Sequence, residues 1–209
     1  MKKNKKKILI LDHGSGNVSS VAHVLKKLDH KYKISKSYND LENYNYLIIP
    51  GVGSYDNCID NLRKLKLINP IKKFSRQNKK ILGICVGMQI LSTIGKENII
   101  SNGLNLIPGT VEKMKVKENV ILPHIGWNNI LIKKKSPLLE KISTDDYFYF
   151  LHSYAFNSSE KYILSKTNYG NKKSTSIVTN NKNIYGVQFH PERSQHAGLK
   201  IFHNFLNLC

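Results

Sequence analysis

The chain predicts an α/β fold with a mostly parallel central sheet flanked by helices and an antiparallel extension in its second half. Three observations carry that expectation. From Ile8 to about Leu91, short apolar runs alternate with helix-period segments, the signature of strands joined by crossover helices. The runs Ile8-Leu9-Ile10-Leu11 and Tyr46-Leu47-Ile48-Ile49 are continuously apolar rather than alternating, as strands covered on both faces are. Beyond about Gly109 the texture changes to short strands separated by turns, without helices between them.

The elements follow in order. After the strand Ile8–Leu11 comes a Gly14-Ser15-Gly16 turn. Val18, Val21, Val24, Leu25 and Leu28 then recur at helical spacing, with Asn17 as the cap. Ser19 stands where a dinucleotide fingerprint would need its third glycine, so this turn does not read as a cofactor site. Strands are expected at Lys33-Ile34-Ser35 and Tyr46–Ile49, the latter ending in Pro50-Gly51-Val52-Gly53. Helices around Tyr55–Leu65 and Ile68–Asn78 lead to a strand that ends at Cys85, and a helix continues through Gln89, Ile90 and Leu91. The later strands are expected at Thr110–Val116, Trp127–Ile132, Tyr147–Tyr154, Tyr162–Thr167, Ser174–Thr179 and Ile184–Phe189, all antiparallel. A final helix, Gly198–Asn207, sends Leu199, Ile201, Phe202, Phe205 and Leu206 to the core.

With 209 residues and no Pro/Gly/Ser-rich linker, the chain reads as a basic overhang over residues 1–7 followed by one domain over residues 8–209. The overhang leads into a short strand rather than a long apolar region, so no signal peptide and no membrane span are expected, and the expected location is the cytoplasm. Cys58, Cys85 and Cys209 are odd in number and scattered, which argues against a disulfide framework; no zinc-ligand spacing occurs, and neither metal nor cofactor is expected. The net charge of +19 invites a nucleic-acid reading. The lysines, however, are strewn among asparagines, as in Asn180-Asn181-Lys182-Asn183, rather than gathered on one element with interleaved aromatics. No nucleic-acid partner is expected.

The chemistry concentrates in two places. In Gly83-Ile84-Cys85-Val86-Gly87-Met88-Gln89 a buried strand turns sharply into a helix with a thiol at the bend, the geometry that exposes a nucleophile above a sheet and aims helix N–H groups at it. A helix N-terminus also favours thiolate over thiol. Near the other end, Gln188-Phe189-His190-Pro191-Glu192 closes a strand on a histidine. Pro191 forces extended geometry on the residue before it, and a carboxylate follows two residues after the imidazole. Cys85, His190 and Glu192 thus supply nucleophile, base and orienting acid. Gln89 lies one turn beyond Cys85 on the same face, placed to hold a substrate.

Those two motifs resemble the class I, triad-type glutamine amidotransferases. Four further segments, Asp12-His13-Gly14-Ser15-Gly16-Asn17, Pro50-Gly51-Val52-Gly53-Ser54, Pro123-His124-Ile125-Gly126-Trp127-Asn128 and Tyr149-Phe150-Leu151-His152-Ser153-Tyr154, narrow the resemblance to the glutaminase subunits of imidazole glycerol phosphate synthase, from about Ile8 to Leu206. The resemblance implies a flavodoxin-like fold and hydrolysis of L-glutamine through a thioester on Cys85. It implies oxyanion donors at Val52 and Val86, and glutamine binding by Gly51, Gly53, Gln89, Glu97, Ser153 and Tyr154. It also implies a heterodimer with a (β/α)8-barrel synthase that receives the ammonia, with Asn17, Trp127 and Asn128 at the interface. His13 stands where the family usually has tyrosine, and Ser15 where it has alanine or an apolar residue; neither touches the triad. Tyr55-Asp56 and Asn168-Tyr169-Gly170 are compatible with a second branch, a paralogous complex amidating a surface-sugar precursor. A non-enzymatic binding module would need no complete Cys85, His190, Glu192 set.

Overall fold

The computed structural model describes residues 6–117 and 119–208. Residues 1–5 of the expected overhang and Cys209 of the expected domain lie outside them. The ordered contacts begin before Ile8. The Lys7 N–H donates to Asn45 Oδ1 at 2.8 Å and its carbonyl accepts from the Asn45 and Tyr46 N–H groups, while Lys6 Nζ reaches Asn207 Oδ1. Lys6 and Lys7 therefore belong to the folded body rather than to an overhang.

The parallel half follows the order of the sequence. Strand β1 (Ile8–Leu11) leads to α1 (Val18–Lys27), β2 (Tyr32–Ser35), β3 (Tyr46–Gly51), α2 (Tyr55–Lys64), α3 (Ile68–Arg76), β4 (Lys80–Cys85) and the short α4 (Val86–Gln89). Asn17 caps α1 by accepting the Ser20 N–H at 3.2 Å. The Ser54 side chain, by contrast, makes no capping bond to α2. The Tyr55 N–H there is taken by Glu97 Oε2 at 2.7 Å, a carboxylate from far along the chain at a positive helix end. Lys26 and Lys27 close α1, and Arg63 and Lys64 close α2, where cations suit the dipole.

The second half adds β5 (Ile94–Lys96), β6 (Ile100–Asn102), β7 (Thr110–Lys113), β8 (His124–Asn129), β9 (Leu131–Ile132), β10 (Tyr147–His152), β11 (Tyr154–Asn157), β12 (Ile163–Tyr169), β13 (Lys172–Thr179), β14 (Ile184–Val187) and α5 (Gln195–Leu206). The main sheet has eight strands in the order β2-β1-β3-β4-β14-β13-β12-β9. Its first five are parallel and its last three antiparallel. The order β2-β1-β3-β4 with β14 as fifth strand is the flavodoxin-like arrangement, in which ligands sit beyond the carboxyl ends of the strands.

One expectation is overturned here. Ile184–Val187 is no antiparallel edge strand: it pairs in parallel with β4, in register Gly186 opposite Gly83, and only its other side pairs antiparallel with β13. All four of its residues are buried, which is what a central strand requires. The consequence is functional, because this insertion brings the end of β14 beside the end of β4. Two smaller sheets, β10-β8 and β11-β7-β5-β6, stand over that end; β5 and β6 were not anticipated. The core spans both halves, with Leu9, Ile10, Leu47, Ile48, Leu82, Phe148, Phe150, Phe189, Phe202 and Phe205 fully buried.

Candidate active site

Cys85 ends β4 and is the residue before the first turn of α4, with φ 54° and ψ −114°. Such a backbone is strained for a side chain with a Cβ and persists because its surroundings over-determine it. The surroundings here are backbone. A Cβ on Gly87 would overlap the Ile49 carbonyl, one on Gly83 the Gly87 carbonyl, and one on Gly51 the Gly87 amide. The close approach of β3, β4 and α4 thus exists only because glycines stand at these points. The thiol is 4 % exposed; the Gln188 amide donates to Sγ at 3.8 Å, and Sγ lies 3.8 Å from the Leu151 carbonyl.

His190 leaves β14 and starts the 3₁₀ turn Pro191–Arg193. That turn carries Glu192 back onto the ring, and Nδ1 meets Glu192 Oε1 at 2.8 Å with both side chains buried. The backbone of His190 is fixed from β10, since its N–H donates to the Tyr149 carbonyl at 2.8 Å. Ser194 Oγ ties the two elements by donating to the His190 carbonyl at 2.6 Å and accepting the Tyr149 N–H. Burial opposes a charged imidazole, but the Cys85 sulfur and Glu192 outweigh it and raise the His190 pKa to about 10. Nε2, the nitrogen not used by Glu192, makes no hydrogen bond of ordinary geometry among the described residues.

Between these groups lies a cleft of about 260 Å³, the scale of one amino acid rather than of a large ligand. Among its walls are Val52, Gly53, Cys85, Val86, Gln89, Glu97, Ser153, Tyr154 and His190, all singled out in the sequence. Gln89 Nε2 donates to the Tyr154 carbonyl at 3.0 Å and to Gln188 Oε1 at 3.1 Å, which orients its amide. Burial raises the Glu97 pKa, although its bond from Tyr55 works the other way. Gly51 and Glu192 stand behind the walls. The Val52 N–H does not face the thiol: it donates to the Ser15 carbonyl at 3.0 Å.

The three residues expected at an interface separate. Trp127 is half exposed on the β8–β10 ribbon, beside exposed Ile125 and Leu151. The Asn128 side chain instead bonds internally, to the Asn168 carbonyl at 2.7 Å and the Asn129 N–H, and Asn17 is occupied as a helix cap. Residues the sequence reading passed over are Gln188, which links Gln89 to the thiol, Ser194, and His152. The last lines the cleft with Nδ1 on the Tyr154 carbonyl at 2.8 Å and Nε2 buried with no hydrogen-bond partner among the described residues. Its place in Leu151-His152-Ser153, within a strand whose residues alternate in burial, was the available signal.

The model for the family "Glutamine amidotransferase class-I" matches residues 9–208. A Methanosarcina barkeri protein named imidazole glycerol phosphate synthase subunit HisH is 39 % identical over 98 % of this chain and 100 % of its own length. One of the same name from Pelagibacter ubique is 39 % identical over 96 % and 99 %. Among solved structures, PurLQS from Thermotoga maritima superposes with a TM-score of 0.76 at 17 % identity, covering 97 % of this chain and 98 % of the other. A glutamine amidotransferase from the same organism gives 0.66 at 14 %, covering 97 % and 84 %. The last two establish the fold.

Proposed function

The chain belongs to the class I glutamine amidotransferases, and from that premise we propose that it is the glutaminase subunit of an imidazole glycerol phosphate synthase, acting in histidine biosynthesis in the cytoplasm. The observation that carries the chemistry is a buried thiol on a strained elbow in the same cleft as a histidine whose far nitrogen is held by a carboxylate. His190 takes the Cys85 proton, and the thiolate attacks the side-chain amide carbon of glutamine. The tetrahedral oxyanion collapses as His190 returns the proton to the departing ammonia, leaving a thioester. Water, deprotonated by the same imidazole, then attacks that thioester and releases glutamate. Glu192 orients the ring and holds its charge.

The Val86 N–H, at the start of α4, is one oxyanion donor in this reading, and the second is the Val52 N–H. The bond from Val52 to Ser15 supports a resting state in which that second donor is turned away. Turning the Gly51–Val52 peptide would complete the hole. Gly51, Gly53, Gln89, Glu97, Ser153 and Tyr154 hold the amino-acid end of glutamine. The relatives' names support a synthase partner, which in this reading is a (β/α)8 barrel seated on the exposed Trp127 face. Its sealed junction keeps ammonia from protonating in water. They support the histidine branch over a surface-sugar acceptor.

The test uses Cys85→Ala in complex with a histidine-pathway barrel and its phosphoribosyl substrate. Glutamine-dependent turnover should fall by about four orders of magnitude or more, while turnover with ammonium salts persists. Glutamine hydrolysis surviving in the variant would overturn the assignment.

A further inference from the structure

The turn after β1 grips the end of β3 and the loop beyond it at two points. One is the Val52 N–H on the Ser15 carbonyl. The other is His13, 1 % exposed, whose Nε2 lies 2.6 Å from the Pro50 carbonyl oxygen. A carbonyl can only accept, so Nε2 carries the proton and donates. Nδ1 is then a lone pair, and the Cys58 sulfur packs against the ring, 3.7 Å from Nδ1 and 3.9 Å from Nε2. Burial pushes the Cys58 thiol up in pKa, keeping it an S–H, and burial likewise disfavours a charged His13. The Pro50 carbonyl thus selects the tautomer with the proton on Nε2.

The bonded atoms belong to adjacent peptide units. The Pro50 carbonyl is part of the unit joining residues 50 and 51, and the Val52 N–H is part of the next. The near side of this hinge is closed, because the turn passes so tightly that a Cβ on Gly16 would sit 2.8 Å from the Pro50 oxygen, and Gly51 is packed on the Gly87 backbone. The far side is open, since nothing lies within 4 Å of where a Gly53 Cβ would be.

We propose that His13 is a positioning residue for the reaction: by anchoring the first peptide unit it confines reorientation to the second, so that the Val52 N–H arrives at one defined place. The proposal rests on the reading that Val52 supplies the second oxyanion donor. Without the anchor both units share the motion and the donor is misplaced at the moment charge develops. Glutamine keeps its contacts with Gln89, Glu97, Ser153 and Tyr154, which lie off this segment, and still binds. Transition-state stabilisation should suffer and ground-state binding should not.

The experiment measures glutamine hydrolysis by the subunit in complex with the liganded barrel. His13→Phe keeps a flat ring without the donor and should lower kcat about tenfold with KM for glutamine within about twofold. His13→Asn, whose amide nitrogen matches Nδ1 and cannot reach Pro50, should match it and serves if the Phe variant fails to fold. His13→Gln, whose amide nitrogen matches Nε2, should recover most of the rate. Wild-type kcat in the Asn variant, or a Gln variant as slow as the Asn one, would overturn the proposal. A wild-type subunit that hydrolyses no glutamine in the complex would instead sink the parent reading and this one with it.

Discussion

At the elbow Ile84–Gly87 backbone closes in from β3 and β4, so that a single added carbon on Gly83 or Gly87 meets a carbonyl. At the facing loop Gly51–Gly53, Gly51 is packed in the same way while Val52 is 42 % exposed and Gly53, at φ +92°, has open space around it. Both turns are glycine-flanked, but glycine serves different ends in them. In the elbow it allows close packing that fixes the nucleophile in a strained conformation. At Gly53 it allows a conformation that other residues rarely adopt, in a segment with little to hold it. The site therefore has a fixed half, carrying Cys85, and an adjustable half, carrying the Val52 N–H.

The sharpest way to break this comparison is to add the same side chain to both ends of the loop. Gly51→Val drives a β-branched group into the Gly87 amide and the Val86 backbone, which cannot swing aside. It should cost at least about 3 kcal/mol in urea unfolding. Gly53→Val meets no atoms and pays only for its backbone, about 1–2 kcal/mol. Its main effect should fall on stimulation by the partner rather than on KM for glutamine. Equal losses of stability in the two variants would erase the distinction.

A smaller effect concerns three histidines, His152 and His190 in the cleft and His124 beside His152, which shift in opposite directions. His190 is raised by its sulfur and carboxylate neighbours despite burial, whereas burial lowers His124 and His152 to about 4. His124 is stacked between Phe150 and Tyr169, with ring centroids 4.7 and 4.0 Å away. The unfolded chain protonates such rings near pH 6.5 and the folded chain only near pH 4. Between those values protons favour the unfolded state, and stability falls as the pH drops. Each ring contributes to that loss, since its burial disfavours the charged form only in the folded chain. The sign reverses for His190, whose contribution is present below about pH 6.5 and is lost as the pH climbs towards about 10. His124→Phe should make the decline measured by urea unfolding between pH 6.5 and 4 shallower. An unchanged slope would show that this ring titrates normally.

Much of the site was legible because its chemistry is local in the sequence. The elbow needs only its own strand, thiol and glycines, and His190-Pro191-Glu192 carries base and acid within three residues. What was not legible depends on pairing between distant segments. Ile184–Val187 reads as a short buried strand of either sense, and only its neighbours β4 and β13 decide that one side pairs in parallel. The β5–β6 hairpin is too short to show a period, yet it delivers Glu97 to the cleft and to the start of α2. The break at Ser153, which divides the expected Tyr147–Tyr154 strand into β10 and β11, turns Tyr154 to another sheet and places both residues along the cleft wall. Asn128 depends on pairing of the same kind, since its side-chain amide bonds to the Asn168 carbonyl from a distant strand.

The central claim, that the proposed nucleophile is set in advance while the proposed second oxyanion donor is not, is tested most directly by the rate of glutamine hydrolysis of the purified subunit alone and with its liganded synthase partner. One missing oxyanion hydrogen bond is worth on the order of 10²- to 10³-fold. The subunit alone should therefore be slower than the complex by about that factor, at similar glutamine affinity. A subunit that hydrolyses glutamine at the full rate without its partner would contradict the account, because the Val52 N–H would then already be in place.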